Sequence, residues 1–197
     1  MDRRTALRNI ALTTGSITLL ARCGFGEERL PIALNNLNVS VEQEDLLKEI
    51  VGVIIPETDI PGAASLEVHN FVWVMADDCM EKADQNRFMK GLSQFNTLLK
   101  HDRDTDFEST EAPEKAGLLE YVMNLDDSYE VPVDGEGNPE FDPESVKYAL
   151  SRIKGFTIQG FMQSKYVMEN EMPYRLVPGP AKGCVDVDPE KRVNIYG

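Results

Sequence analysis

The chain has 197 residues, of which 20 are Lys or Arg and 34 are Asp or Glu, so its formal net charge at pH 7 is −14. A chain of this length can bury one substantial hydrophobic core and form a single domain. Residues 24–197 carry 16 basic and 33 acidic side chains, a net charge of −17, which excludes nucleic-acid binding, repels anionic lipid and favours a soluble chain or a basic protein partner.

The chain begins with a segment, residues 1–23, that is typical of an export signal. Arg3, Arg4 and Arg8 form a basic head, and an apolar stretch follows at residues 10–21. Since this stretch is short and interrupted by polar residues, it indicates a signal and not a membrane-spanning helix of about 20 apolar residues. The pair Arg3-Arg4 resembles the twin-arginine signal, whose pathway exports folded cargo. An ordinary secretion signal and a basic helix start are the alternatives. Either kind of export signal places the mature chain outside the cytoplasm, in the periplasm or cell envelope.

The end of this segment also resembles the site at which bacterial lipoproteins are cut and lipidated. In the sequence Leu20-Ala21-Arg22-Cys23, Cys23 would become the lipidated N-terminus. Arg22 departs from the pattern, because a very small residue normally precedes the cysteine. Lipidation of Cys23, cleavage nearby by the general signal peptidase and an uncleaved anchor are therefore three alternatives.

A linker is predicted at residues 24–39, and a helical domain at residues 40–197. Ser40 and Gln43 supply a capping box, in which each side chain satisfies a free backbone N–H group at a helix start. The apolar residues behind them recur at helical spacing, at Leu47, Ile50, Val51 and Ile54. The pattern predicts a first helix that ends at Pro56.

The next stretch predicts a second helix. Asp59 is its predicted N-cap, and Pro61 falls in the first turn, where a missing N–H group costs nothing. Apolar side chains then recur three or four residues apart, at Ala64, Val68, Phe71, Met75 and Cys79. This spacing predicts that Cys79 lies at the end of the buried face of the helix.

Three further helices are predicted. Their apolar positions are Phe88, Met89, Leu92, Phe95 and Leu99 in the third, Leu118, Leu119, Val122 and Leu125 in the fourth, and Val146, Leu150 and Ile153 in the fifth, which begins at Asp142-Pro143. Gly155 and Gly160 each weaken a helix by about 1 kcal/mol relative to alanine, so the pattern leaves the end of the fifth helix open. With acidic loops at 102–112 and 126–141 and an irregular tail from Pro173, the chain is predicted to be an all-α bundle of about five helices.

The helical domain shows no recognised metal-binding or nucleophilic pattern. His69 and His101 belong to no zinc spacing and are interpreted as structural or surface residues. Neither Cys79 nor Cys184 has a CxxC partner or a nearby base that would activate a thiol. Trp73 is interpreted as a core residue and not as part of a haem or flavin pocket.

The sequence also lacks the calcium-binding and phosphate-binding loop motifs. Residues 134–138 (DGEGN) have the oxygen-rich composition of a calcium loop, but an EF-hand needs glycine and glutamate where Pro139 and Ser145 stand. Glycine-rich phosphate loops are absent from the sequence, and the acidic surroundings of Gly135 and Gly137 would repel an anionic nucleotide. No residue of this chain is therefore predicted to be catalytic, to bind a cofactor or to hold a metal.

The three cysteines suit an oxidising compartment. With Cys23 at the export boundary, Cys79 and Cys184 form one candidate disulfide, and two separate buried thiols are the alternative. The two positions are 105 apart. Closing so long a loop stabilises a fold by about 4–5 kcal/mol in the chain-entropy model.

One family combines these features. The run IPETDIPGA at residues 55–63 resembles the small subunit, subunit 3, of the gluconate 2-dehydrogenase family, as do Val68, Phe71 and the Asp78-Cys79 pair. The tail from Tyr174 to Cys184 is also similar to the family's C-terminal motif. The resemblance covers about residues 40–186, and its motif residues are Pro56, Thr58, Asp59, Pro61, Gly62 and Ala63.

The resemblance implies a non-catalytic accessory subunit. In such enzymes a large subunit carries FAD and oxidises a sugar or sugar acid, a cytochrome c subunit carrying haem passes electrons to the membrane chain, and the small subunit binds the large one. This chain would then meet the membrane only through a lipid anchor or its partner, and the folded-cargo pathway would export the FAD-loaded subunit with it. The alternatives are a free-standing exported lipoprotein or binding module, and an enzyme that uses Cys79 or Cys184.

Overall fold

A computed structural model describes residues 33–126, 128–133 and 135–172. Within these ranges the chain forms five α-helices and a short π-helical turn. They are α1 (Val41–Ile54), α2 (Val68–Cys79), α3 (Lys82–Arg103), α4 (Ala112–Met123), α5 (Pro143–Met162) and the π-helical turn (Val167–Glu171). The predicted all-α class is confirmed, since the β-structure in these ranges is a single antiparallel bridge between Val133 and Pro139.

Helix α1 begins as its sequence predicts. The Ser40 hydroxyl accepts a hydrogen bond from the Gln43 backbone N–H at 3.3 Å, and the Gln43 side chain accepts one from the Ser40 N–H at 3.1 Å. The helix ends at Ile54, because a residue that precedes a proline, as Ile55 precedes Pro56, is pushed out of the helical region. Its buried side chains are Leu46, Leu47, Ile50 and Val51.

The predicted start of α2 is wrong. Asp59 is exposed and caps no helix, and the chain passes through a series of turns before α2 begins at Val68. Glu67, directly before it, has a φ of 53°, a left-handed conformation that interrupts a helix. The physical reason is tertiary, because the backbone folds back on the end of α1 through a 2.9 Å hydrogen bond from Ala63 N–H to the Ile55 carbonyl.

The predicted burial of Cys79 is also wrong. Val68, Val72, Trp73 and Ala76 form the buried face of α2, but Cys79 is exposed. Cys79 is the last residue of the helix. Helical spacing gives the direction in which a side chain points, but it does not tell how far along α2 the neighbouring helices reach.

Helix α5 is the central element, because it contacts each of the other four α-helices. Asp142 caps its N-terminus by accepting hydrogen bonds from the Ser145 backbone N–H at 3.2 Å and the Ser145 hydroxyl at 2.8 Å. Asp142 also pairs with Lys90 of α3 at 2.8 Å. Burial raises the pKa of Asp142, but these hydrogen bonds outweigh burial and lower the pKa to about 2.

Two glycines allow other helices to approach α5 closely. A Cβ atom at Gly91 of α3 would lie 2.0 Å from the Ser145 carbonyl oxygen, and one at Gly160 of α5 would lie 2.6 Å from the Phe71 ring of α2. The packing that these contacts permit outweighs the low helix propensity of glycine. Helix α5 therefore continues past Gly155 and Gly160 to Met162.

The core is aromatic where α2, α3 and α5 meet. Trp73 is fully buried, as predicted, and its ring stands edge-on to that of Phe88, with 6.1 Å between the ring centroids. Phe95 packs on Phe107, which lies in the loop after α3, with the two rings tilted by 59° and 5.4 Å between their centroids. No helix in the part of the chain described above is long and apolar enough to cross a membrane.

Candidate functional site

The motif at residues 55–63 forms a tight turn between α1 and α2. Gly62 is buried, and a Cβ atom there would lie 2.7 Å from the Glu57 nitrogen and 2.8 Å from the Ile55 carbonyl oxygen. Only glycine fits such a contact, because backbone atoms cannot rotate away from it. Ala63 is fully buried and closes the turn. This half of the motif is therefore a structural element that sets the angle between the two helices.

The other half of the motif faces solvent. Pro56, Glu57, Thr58 and Asp59 are all exposed. The Glu57 carboxylate accepts a hydrogen bond from the Ser65 hydroxyl at 2.7 Å. Within the described ranges no hydrogen bond or ion pair involves the side chains of Thr58 or Asp59. The fold thus presents these two polar side chains on the rim of a rigid turn.

A buried carboxylate at the end of α2 holds the segment that precedes α1. Asp77 is 2 % exposed, and its oxygens accept hydrogen bonds from the backbone N–H groups of Asn35, Asn36 and Leu37 at 2.7, 2.8 and 2.7 Å. Its carbonyl oxygen accepts a further bond from the Gln85 amide at 2.6 Å. Three N–H groups on one carboxylate make a strong clamp. The C-terminal part of the predicted linker is therefore fixed to the bundle.

The sequence analysis did not identify Asp77 as a buried residue, although its position in the sequence indicates burial. It follows Trp73 by four residues, which places a carboxylate on the apolar face of α2. A buried carboxylate requires hydrogen-bond donors to compensate for its lost hydration. The sequence does not show that these donors come from Asn35, Asn36 and Leu37, about 40 residues earlier.

Helix α2 also carries buried polar atoms that have no hydrogen-bond partner. They are the His69 Nδ1, the Asn70 Oδ1 and the Trp73 Nε1. Burial lowers the pKa of His69, Lys48 lowers it further, and the opposing effect of Glu67 is smaller. The imidazole is therefore neutral at pH 7, and the interpretation of His69 as a structural residue is confirmed by its 4 % exposure.

A hydrogen-bond cluster, which we call the Asp102 cluster, lies at the end of α3. The Asp102 side chain is 8 % exposed and accepts hydrogen bonds from the Tyr129 hydroxyl at 2.6 Å, the Tyr121 hydroxyl at 2.9 Å and His101 Nδ1 at 2.7 Å. An ionised carboxylate only accepts, so His101 carries a proton on Nδ1. The Arg103 guanidinium stacks on the Tyr121 ring at 4.0 Å.

The ionisation states in the Asp102 cluster make it a stable tether. Burial raises the pKa of Asp102, but the hydrogen bonds from Tyr129, His101 and Tyr121 outweigh burial and lower it. Burial and the bond to Asp102 raise the pKa of both tyrosines. The carboxylate is thus charged and the phenols are protonated at neutral pH. The cluster fixes the acidic loop that contains Tyr129 to the end of α3, and no sequence spacing indicated it.

The described residues line an open groove between α1, α4 and α5 and another beside His101. A groove of about 200 Å³ between α1, α4 and α5 is mostly apolar, with lining residues Ile50, Val53, Ile54, Ala116, Leu119, Glu120, Met123, Leu150 and Lys154. A second groove of about 390 Å³ lies beside His101 and is polar, and Asp106 and Glu140 line it together with Lys100. These two carboxylates would repel the phosphates of a nucleotide cofactor.

Several predicted residues were not brought into a common site. Arg3, Arg4, Cys23 and Cys184 lie outside the described residues, so the export signal, the lipidation and the disulfide stay predictions. Cys79 is exposed at the end of α2, and it has no disulfide partner among the described residues. In the described ranges, no group of three or more His, Cys, Asp or Glu side chains is arranged to hold a metal ion.

Comparison with known proteins identifies the family. The family model for gluconate 2-dehydrogenase subunit 3 matches residues 41–179, a range that includes all five α-helices and the motif turn. The chain belongs to the gluconate 2-dehydrogenase subunit 3 family. Proteins of this family are accessory subunits, so the chain is of a kind that associates with a dehydrogenase complex. No curated protein and no solved structure matched the chain. In this subunit 3 chain, the family motif combines a buried Gly62–Ala63 closure with an exposed Thr58–Asp59 rim.

Proposed function

We propose that this chain is the non-catalytic small subunit of an exported, membrane-associated, FAD-dependent dehydrogenase that oxidises a sugar or sugar acid. In this complex the large subunit carries FAD, and a cytochrome c subunit carries haem. The small subunit binds and stabilises the large one and carries the export signal for both. The family match over residues 41–179 is the observation that carries this proposal.

The architecture of the described residues suits such a role. The bundle is cross-braced at several points, by the Asp77 clamp, the Asp102 cluster and the glycine contact at Gly91. A rigid bundle can bind a partner without a large loss of conformational entropy. The proposal places FAD in the partner, since Asp106 and Glu140 of the groove beside His101 would repel the phosphates of FAD.

The proposed export route follows from the first residues. If Arg3 and Arg4 form a twin-arginine signal, the pathway carries folded proteins, so that a large subunit already loaded with FAD can cross with this chain. The Asp77 clamp fixes the chain from Asn35 onwards, so the folded part of the proposed cargo includes the segment that precedes α1.

The proposal is tested by purifying the complex through a C-terminal affinity tag on this chain, expressed in its own cells. We expect a FAD-containing dehydrogenase subunit to co-purify in a fixed ratio, recognised by mass spectrometry and by its flavin absorbance. The separated small subunit should be colourless and should not reduce a dye with gluconate or glucose. A chain that purifies alone from the cell envelope would instead support the free-standing lipoprotein or binding module.

Export is tested in the same cells with the double variant Arg3→Lys, Arg4→Lys. We expect this variant to hold both the small subunit and the flavoprotein in the cytoplasm, because lysine keeps the positive charge but not the arginine pair that the receptor reads. A matched Arg8→Lys variant should be exported normally. Normal export of the double variant would show that the arginine pair is only a generic basic head.

A further inference from the structure

The solvent-facing side of α5 differs in charge from the rest of the molecule. From residue 145 to 168 the sequence has four basic residues and no Asp or Glu, whereas the other residues of 24–197 comprise 12 basic and 33 acidic side chains. Arg152 and Lys154 are exposed in this stretch. Among the described residues, neither of them takes part in an ion pair. The chain therefore keeps unneutralised cations on one helix of a strongly acidic protein.

The same side of α5 carries an exposed apolar side chain and a half-buried tyrosine. Ile158 is 45 % exposed, although large apolar residues are usually covered in a well-packed bundle. The Tyr148 ring is flanked by two guanidinium groups, with Arg87 at 4.5 Å and Arg152 at 5.1 Å from its centroid. On the other flank, Lys154 lines the apolar groove between α1, α4 and α5. We call the surface made by Tyr148, Arg152, Lys154, Gly155 and Ile158 the α5 face.

The composition of the α5 face is that of a protein-binding surface. Arginine and tyrosine are enriched at the centres of protein interfaces, where they supply most of the binding energy. Gly155 is exposed in the middle of the helix, and a Cβ atom there would meet no atom within 4 Å. Unlike Gly91 and Gly160, it therefore serves no packing among the described residues, and it leaves the α5 backbone open to a partner.

We propose that the α5 face binds a carboxylate-bearing surface of the FAD-containing dehydrogenase subunit. This inference rests on the function proposed above and adds the location and the charge of the contact. The overall charge of −17 for residues 24–197 favours a basic partner at long range, but charge complementarity acts locally, within a Debye length of about 8–10 Å. Unpaired cations around an apolar patch match carboxylates around an apolar patch on the partner.

Two other occupants fit less well. A second copy that bound through the same face would bring the exposed Arg152 and Lys154 of both copies together, so the two cationic faces would repel each other. An anionic membrane is bound by clusters of about four to eight Lys or Arg. The α5 face has only Arg152 and Lys154 as exposed cations, which are too few to hold the chain at such a membrane.

The inference is tested by charge reversal in the full chain with the purified flavoprotein subunit as the probe. The variant Arg152→Glu/Lys154→Glu reverses the charge of the α5 face. The control Lys48→Glu/Lys100→Glu makes the same change in net charge on α1 and α3, at two exposed lysines. We expect the first variant to weaken binding at least tenfold, with a smaller salt dependence, and the control to bind within about threefold of the wild type.

A second pair of variants tests the surface without changing its charge. Gly155→Trp places a large side chain on the α5 face, and Gly117→Trp places one on α4, where a Cβ atom also meets nothing within 4 Å. Both sites are exposed, so both variants should fold, as circular dichroism would verify. Only Gly155→Trp should block the flavoprotein, because only that site is covered in the complex.

The outcomes separate this inference from the proposed function. If the wild-type chain binds the flavoprotein and the α5 variants bind it equally well, the surface is wrong while the function stands. If the wild-type chain does not bind the flavoprotein, the proposed function fails and the partner named here fails with it. Self-association, or binding to phosphatidylglycerol vesicles, that is lost on reversing Arg152 and Lys154 would overturn the inference in favour of another occupant.

Discussion

Replacing Gly91 by alanine should destabilise the bundle, whereas the same change at Gly117 should stabilise it. Both glycines lie inside helices, α3 and α4 respectively, so alanine gains about the same helix propensity at each, roughly 1 kcal/mol. The sites differ in what a Cβ atom meets. At Gly117 nothing lies within 4 Å, but at Gly91 the Cβ would be 2.0 Å from the Ser145 carbonyl oxygen and 2.9 Å from the Ala149 Cβ.

The size of the destabilisation by Gly91→Ala follows from the kind of atom that the added Cβ would contact. The Ser145 carbonyl belongs to the backbone of α5, so the contact is relieved only if α5 moves away from α3. Overpacking costs about 1–3 kcal/mol, and a contact with backbone lies in the upper part of this range, at about 2–3 kcal/mol. After the gain in propensity, Gly91→Ala should lower the free energy of unfolding by about 1–2 kcal/mol. Gly117→Ala should raise it by about 0.5–1 kcal/mol.

The assay is urea unfolding of the purified chain, followed by far-UV circular dichroism, with the slope m compared between variants. The expected difference of about 1.5–3 kcal/mol corresponds to about 3–12 °C in the midpoint of thermal unfolding for a domain of this size. Equal stabilisation by the two substitutions would refute the close crossing of α3 and α5 at Gly91.

Asp77→Ala should release the segment before α1, and hydrogen exchange at residues 35–37 should become fast while the rest of the bundle stays protected. Burial lowers the pKa of His69 below its ordinary value of 6.5, so the unfolded chain binds a proton that the folded chain does not. Stability should therefore fall as the pH drops below about 6.5, and His69→Leu should remove this part of the pH dependence. Although burial raises it, the pKa of Asp142 is lowered by its hydrogen bonds from 3.8 to about 2. Its contribution to the free energy of unfolding should be present above pH 3.8 and lost between pH 3.8 and about 2. Urea unfolding at several pH values should show this loss in the wild type but not in Asp142→Asn. Non-reducing mass spectrometry of the mature chain should find Cys79 joined to Cys184, and two free thiols would contradict that pairing.

The helices themselves could be predicted from the sequence because their signals are local. The capping box at Ser40, the aspartate and proline at the start of α5, and apolar residues at helical spacing all act within one or two turns. The family motif was equally visible, since it is a continuous string at residues 55–63. These features fixed the all-α class and the expectation of a subunit 3 chain.

Contacts between distant segments decide the start of α2 and the exposure of Cys79, so neither could be predicted. The same holds for the partners in the Asp77 clamp and in the Asp102 cluster. Asp59 has the local properties of an N-cap, yet the hydrogen bond from Ala63 to Ile55 folds the chain back before a helix can begin. The Asp102 cluster joins residues up to 27 positions apart. Sequence periodicity carries no information on such pairings, since it describes one element at a time.

The glycines of α5 show the same division between sequence and tertiary structure. From sequence, Gly155 and Gly160 have the same low helix propensity and leave the end of the helix open. In the folded chain, Gly160 lies against Phe71 and is required for packing, whereas Gly155 faces solvent beside unpaired cations. The sequence by itself determined the helices, the acidic charge and the family. Tertiary structure alone decided which surfaces are covered and which are left for a partner, because burial depends on the neighbours that folding brings together.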